Sequence, residues 1–257
     1  IYKHPLMHNN FSKSDFSDVK KLLNQTNPIL TQSKKVEEFE KKWSKWLGVR
    51  YSTFVSSGSS ANYISISLLK VLNKNKYKNE IIVPTLTWIS DISSILLNGF
   101  KPIFVDINLE NLSMDIDQVL KKINKRTLGI FITHAQGFNG LNDKLLKAIN
   151  KHKLYLIEDV CESHGATYKN KKLGTFGLMS NFSFYYAHHM TTIEGGMIST
   201  NNKEIYELSK IFRSHGMARE SKNQSYENKL IKKFKNLSPQ FIFLYPTLNF
   251  RNNEIGA

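Results

Sequence analysis

The chain has 257 residues, 40% of them hydrophobic, with 36 Lys and Arg against 21 Asp and Glu and a formal net charge of +15. That length supports one substantial core, or one large domain with part of another, and no apolar run approaches the roughly 20 residues that span a bilayer. One cysteine, Cys161, excludes an internal disulfide and any all-cysteine metal cluster within the chain, which fits a reducing cytoplasm.

The basic excess would suit nucleic acid, a membrane surface or a phosphorylated substrate. The lysines are nevertheless scattered (Lys20, Lys21, Lys34, Lys35, Lys41, Lys42, Lys121, Lys122) and read as a lysine-rich composition. The one local cluster, residues 229–235, lacks the aromatic interleaving of a nucleic-acid module. Neither a nucleic-acid nor a membrane partner is expected. No leader-like segment opens the chain. It starts at Ile1 rather than Met, so residues are expected to be missing in front.

Residues 1–35 read as an N-terminal arm and first helix. In 35–47, KVEEFEKKWSKWL, the apolar Val36, Phe39, Trp43, Trp46 and Leu47 recur at helical spacing. Tyr51–Val55 reads as a strand, Ser57-Gly58-Ser59-Ser60 as a turn, and 61–72 as a helix. The alternation continues with strands at 81–83, 102–105, 128–133 and 154–158, and helices at 88–97, 116–123 and 141–150. Such alternation predicts an α/β fold with a mostly parallel sheet covered on both faces. Right-handed crossovers then put strand C-termini on one edge, where ligands sit. Farther on, 182–186 and 196–200 read as strands and 204–212 as a helix. Residues 220–240 read as a polar basic loop, and 249–257 as the opening of a helix that is cut off.

Three segments carry chemistry. Ser57-Gly58-Ser59-Ser60, between a strand and a helix, offers free N–H groups and a positive dipole end to a phosphate; it is equally an ordinary turn with a serine N-cap. Asp159 ends a hydrophobic strand and faces the ligand edge, where it could hold a proton on a pyridine nitrogen or simply cap a loop. Residues 181–196, NFSFYYAHHMTTIEGG, join alternating aromatics to two histidines. A histidine near its neutral pKa transfers protons well, although packing and metal binding also use it. If this segment is a strand, His188 and His189 point to opposite sides and one at most faces a given site.

The chain resembles the DegT/DnrJ/EryC1/StrS sugar aminotransferase family of pyridoxal-phosphate (PLP) enzymes. The likeness runs through VEEFEKKWSKWLGV, SSGSSAN, IIVPTLTW, GFKPIFVDI, IEDVCESHGATY, GTFG, FSFYYAHHMTTIEGGMIST and LNFRNNEIGA, in that order. It implies a fold-type I large domain, a three-layer α/β/α arrangement over residues 36–218. Residues 219–257 would then be a basic loop and the start of an incomplete small domain. By the same resemblance Gly58, Ser59 and Ser183 hold the cofactor phosphate and Trp88 stacks on the ring. Asp159 pairs with the ring nitrogen and Glu162 lies near the ring hydroxyl. Asn249 reaches the partner's cofactor phosphate in a homodimer with shared sites.

One departure decides the branch. Family aminotransferases carry a tethering lysine in the pattern F-S-F-x-x-x-K-x-x-T-T-x-E-G-G, and here that place holds His188, with no lysine between Lys172 and Lys203. Histidine cannot form the covalent tether but can move protons. This resembles the sugar 3-dehydratase branch. It implies a pyridoxamine- or pyridoxal-phosphate cofactor and a nucleotide-linked 4-keto-6-deoxy sugar for surface polysaccharide. With a single cysteine it points to the type without an iron–sulfur cluster, with glutamate as amino donor and no metal. An ordinary sugar aminotransferase and a non-catalytic binding relative are the alternatives. Tyr186 stands where a proline is usual in that branch, and Ile193 where a glycine is usual.

Overall fold

Along the central strands neighbouring residues go to opposite faces, and both faces are apolar. Ile82, Ile130, Ile132 and Leu156 pack on one side, and Ile81, Val83, Phe131 and Ile157 on the other. A strand buried on both faces reads as a continuous apolar run and needs helices on both sides. The computed structural model describes residue 7, residues 9–221 and residues 223–257, with the side chains of 224–227 outside that description. The elements are α1 (Lys13–Leu23), α2 (Lys34–Leu47), β1 (Tyr51–Val55), α3 (Gly58–Leu72), β2 (Glu80–Pro84), α4 (Ile89–Leu97), β3 (Lys101–Val105), α5 (Ile116–Lys122), β4 (Thr127–Thr133), α6 (Asp143–His152) and β5 (Tyr155–Asp159). A two-stranded hairpin of β6 (Thr167–Tyr168) and β7 (Lys171–Lys172) follows, then β8 (Met179–Ser183), β9 (Gly196–Thr200), α7 (Lys203–Arg213) and α8 (Gln224–Lys233).

The seven-stranded sheet has the order β1-β9-β8-β5-β4-β2-β3. Side chains of α2, α5 and α6 fill one face and those of α3, α4 and α7 the other, giving three layers. The pairs among β3, β2, β4, β5 and β8 are parallel, and β9 alone runs against its neighbours β8 and β1. That reversal matters for the site. The segment between β8 and β9 leaves and re-enters the sheet at the same edge, the edge on which β1, β2, β4 and β5 also end. No helix among the described residues is long and apolar enough to cross a membrane.

Three expectations change. The predicted strand 182–186 is β8, Met179–Ser183, three residues earlier. Its buried Ser180 and Asn181 break the apolar pattern, yet they are satisfied inside: Ser180 Oγ donates to the Gly174 carbonyl at 2.7 Å and Ser65 Oγ to Asn181 Oδ1 at 2.7 Å. The predicted loop 220–240 contains α8 and two 3₁₀ turns, gathered by a small cluster of Ala218, Leu230 and Ile242. The predicted helix start at 249–257 is instead bridges and a turn. Its Glu254 accepts from the backbone N–H groups of Ser33 at 2.7 Å, Lys35 at 2.8 Å and Val36 at 3.0 Å. A carboxylate thus caps α2 from 218 residues away, matched to the positive end of that helix.

Candidate active site

The strand ends converge on a cavity of about 870 Å³, of the size that holds small molecules and cofactors. Gly58 and Ser59 enter it from the start of α3. Ser57 is the N-cap, its Oγ accepting from Ser60 N at 3.0 Å, so the two preceding amides have no partner one turn back. Space there is tight. A Cβ built on Gly58 would lie 2.6 Å from Ser183 Cβ, and one on Gly196 would lie 2.1 Å from the Ser57 carbonyl oxygen. Glycine at 196 lets β9 run directly beneath the turn, and glycine at 58 leaves the cradle open.

Asp159 closes β5 on the cavity floor, 3% exposed. Its Oδ1 accepts from Cys161 N at 2.9 Å and its Oδ2 from Asn62 Nδ2 at 3.0 Å. The neighbouring acid does other work. Glu158, wholly buried, accepts from the N–H groups of Gly174, Phe176 and Gly177 at 2.8, 2.9 and 2.7 Å, pinning the GTFG turn. His134 Nδ1 accepts from Gly140 N, which leaves Nε2–H to donate to Glu158 at 3.3 Å. Glu162 also lines the cavity, its Oε2 accepting from the backbone N–H of Gln136 at 2.9 Å.

The segment after β8 is not a strand. His188 N donates to the Tyr185 carbonyl at 3.0 Å and Thr192 N to that of Phe184 at 3.0 Å, closing a turn. Period-two alternation does not apply in a turn, so His188 and His189 both line the cavity, against the expectation that one at most would. Asn252 Nδ2 anchors this turn, donating to the carbonyls of Val55 and Glu194, each at 3.0 Å. Ile193, where a glycine was expected, adopts φ +68°, a left-handed conformation that strains a β-branched residue. His188 is half-buried, and burial lowers its pKa; the charges of Glu162 and Asp159 pull the other way. A neutral imidazole able to accept a proton is the result.

Gly58, Ser59, Trp88, Asp159, Glu162, Ser183 and His188 therefore meet in one cavity. Trp88, N-cap of α4, is 65% exposed with its ring at the cavity wall. Asn249 stands apart: it is exposed, its Oδ1 accepts from Arg251 N, and it does not line this cavity. Sequence reading missed Asn62, Thr87, Thr133 and Gln136, and it placed only one of His188 and His189 at the site. Of the four missed residues Asn62 alone had a signal, lying one turn beyond Gly58 on the same helix face.

His164 supports the histidine turn from behind, its ring 6.3 Å from that of His188 and 5.5 Å from that of His189, between Trp43, Phe182 and Phe184. Burial first, then the two neighbouring imidazoles, hold its pKa down to about 3, against a small opposing pull from the Ser183 backbone. Above pH 6.5 it is neutral folded or unfolded; below that the unfolded chain takes up a proton that the native state refuses. Stability should therefore fall by about 1.4 kcal/mol per pH unit from this group, from pH 6.5 down to about 3. His164→Gln is expected to flatten that acid limb in urea midpoints measured across the range. Equal slopes in both proteins would refute the assignment.

An α/β sheet with a glycine-opened helix start, a floor carboxylate and a histidine turn at one edge has the large-domain architecture of the fold-type I PLP-dependent transferases. Residues 10–257 match the DegT/DnrJ/EryC1/StrS aminotransferase family, and the chain belongs to it. It is 33% identical over 261 residues to GDP-4-keto-6-deoxy-D-mannose 3-dehydratase of Escherichia coli O55:H7, covering 100% of this chain and 66% of that protein. It is 34% identical over 190 residues to GDP-perosamine synthase of Escherichia coli O157:H7, covering 74% and 51%. A crystal structure of GDP-4-keto-6-deoxymannose-3-dehydratase with a trapped PLP-glutamate geminal diamine superposes with a TM-score of 0.86 at 30% identity, covering 99% of this chain and 66% of that one. The chain thus spans just under two thirds of this GDP-4-keto-6-deoxy-D-mannose 3-dehydratase.

Proposed function

We propose that the chain is the cofactor-binding part of a PLP- or pyridoxamine-phosphate-dependent 3-dehydratase. It would remove the C3 hydroxyl of a nucleotide-linked 4-keto-6-deoxy sugar in the making of a surface polysaccharide such as a lipopolysaccharide O-antigen. The observation that carries the reading is His188, in a cavity whose described lining residues include no lysine. The cavity suits the cofactor: a Cβ would fill the Gly58 cradle, and a buried carboxylate lies on the floor.

Gly58 and Ser59 would hold the phosphate through the start of α3, with Ser183 beside them. Trp88 would cover the ring, Asp159 would balance a protonated ring nitrogen, and Glu162 would sit toward the ring hydroxyl. When bound, the cofactor supplies an amine for the sugar ketone and a ring that takes up electron density. His188 takes a proton on a ring nitrogen, and its lowered basicity lets it return that proton. The C3 hydroxyl would leave as water with the proton that His188 holds. The amine would be lost as ammonia on hydrolysis of the deoxygenated sugar, because no lysine is present to complete a transamination, and glutamate is the proposed donor that restores it. A homodimer is proposed as well, with Asn249 serving the second subunit's site. Exposed Leu86 at the cavity wall, and exposed Ile89, Leu96 and Leu97 on α4, the helix that follows Trp88, support a partner on that side.

Borohydride treatment of the full-length protein with stoichiometric PLP is expected to leave the cofactor removable by dialysis. A one-to-one adduct on a lysine would assign the protein to transamination instead. Product analysis with nucleotide 4-keto-6-deoxy sugars, with and without glutamate, then reads the reaction directly.

A further inference from the structure

Behind Asp159 lies a second carboxyl that the proposed reaction does not use. Asp91, in the first turn of α4, is 0% exposed and does not line the cavity. Its Oδ2 lies 2.5 Å from Thr87 Oγ1 and 3.0 Å from Thr133 Oγ1, and those two hydroxyls are 2.6 Å apart. Three oxygens therefore form a closed triangle, and each of its edges is short enough to need a proton. The two hydroxyls supply two. The third edge is satisfied when Asp91 is itself an acid: it donates to Thr133, Thr133 donates to Thr87, and Thr87 donates back to Asp91.

The other oxygen of Asp91 leads to Asp159. Asn62 Nδ2 donates to Asp91 Oδ1 at 2.6 Å and to Asp159 Oδ2 at 3.0 Å, with Ser90 Oγ also at 3.0 Å. Two carboxyls sharing one amide in a buried site do not both ionise at ordinary pH. The ionisable groups facing Asp91 are Asp159 on β5, which disfavours a second negative charge, and, beyond it, the Cys161 thiol, which burial and the two carboxyls keep un-ionised. Burial is the larger cause and Asp159 the next; together they outweigh the opposite pull of the Thr87 and Thr133 hydroxyls and hold Asp91 well above the usual carboxylate range. Asp159 has the backbone N–H of Cys161 and access to the cavity, so the charge resides there.

We propose that Asp91 is a neutral carboxylic acid at neutral pH, a positioning residue that locks Asn62 and Asp159 in place and leaves Asp159 the single anion of the pair. Its consequence for a cofactor, one negative charge facing one ring nitrogen, rests on the function proposed above; the protonation itself does not.

The test uses the full-length protein without cofactor. Unfolding exposes Asp91 to water, where it ionises above its ordinary pKa of 3.8. Because the folded value is raised, the wild-type folding constant should fall relative to that of Asp91→Asn tenfold per pH unit, from about pH 4 upward until the native group ionises. A ratio that stays flat between about pH 5 and 8 would overturn the proposal. Infrared spectra of wild-type protein with carbon-13-labelled aspartate carboxyls give a second reading that needs no variant to fold. The carbonyl stretch of an un-ionised acid is expected at neutral pH, and its absence refutes the assignment. A purely structural Asp91 carboxylate would produce neither signal. Failure of the wild type to bind PLP, followed by absorbance, would remove the proposed function and leave the protonation result standing.

Discussion

His188→Asn is expected to lower C3 deoxygenation by about 10²–10⁴-fold, the usual worth of a positioned general base, while PLP still binds. Asparagine keeps a polar group of similar reach but cannot take up a proton. The half-buried imidazole is uncharged near neutrality, as a base must be. The proposed phosphate cradle at Gly58 and Ser59 and the carboxylate of Asp159 come from other elements, so their geometry should survive. Steady-state rates on the sugar, beside cofactor absorbance, separate the two effects. Full activity in the variant would remove His188 from the mechanism, and loss of cofactor would make it a binding residue.

Glu40→Ala should cost about 3–5 kcal/mol of stability, because it strands a buried cation. Glu40 Oε1 lies 2.6 Å from Arg213 Nη1 and accepts from Phe54 N at 2.9 Å, and the same Arg213 nitrogen donates to the Phe54 carbonyl at 3.0 Å. Both side chains are under one tenth exposed. This one pair joins α2, β1 and α7, three elements spread over 173 residues. Urea unfolding measures the loss, and a double replacement, Glu40→Leu with Arg213→Met, should recover much of it, since apolar residues remove the stranded charge. A loss in Glu40→Ala below about 1 kcal/mol would place the pair with weak surface bridges.

Several parts of the protein were legible in the chain itself. Continuous apolar runs at β2, β4 and β5 show strands buried on both faces, and helices between them force parallel pairing. The turn at Gly58 and the acid at Asp159 could be placed at the ligand edge because each follows or ends such a strand. That His188 stands where the family pattern has a lysine was legible from the resemblance, and under the proposed function it separates dehydration from transamination.

Other features exist only in three dimensions. β8 escaped the pattern because Ser180 and Asn181 are buried but hydrogen-bonded, and burial of satisfied polar groups leaves no apolar signature. The reversal of β9 turns the histidine segment into a loop at the cavity, so both imidazoles face it. The cap that Glu254 places on α2 has no local code. Asn62 on α3, Thr87 and Asp91 at α4, Thr133 on β4 and Asp159 on β5 meet only after the sheet is assembled. Local periodicity and turn chemistry set most of the elements and their order, because those depend on neighbours along the chain. Charge and protonation at the floor of the site depend on which carboxyls are brought within hydrogen-bond reach away from water, and packing alone decides that.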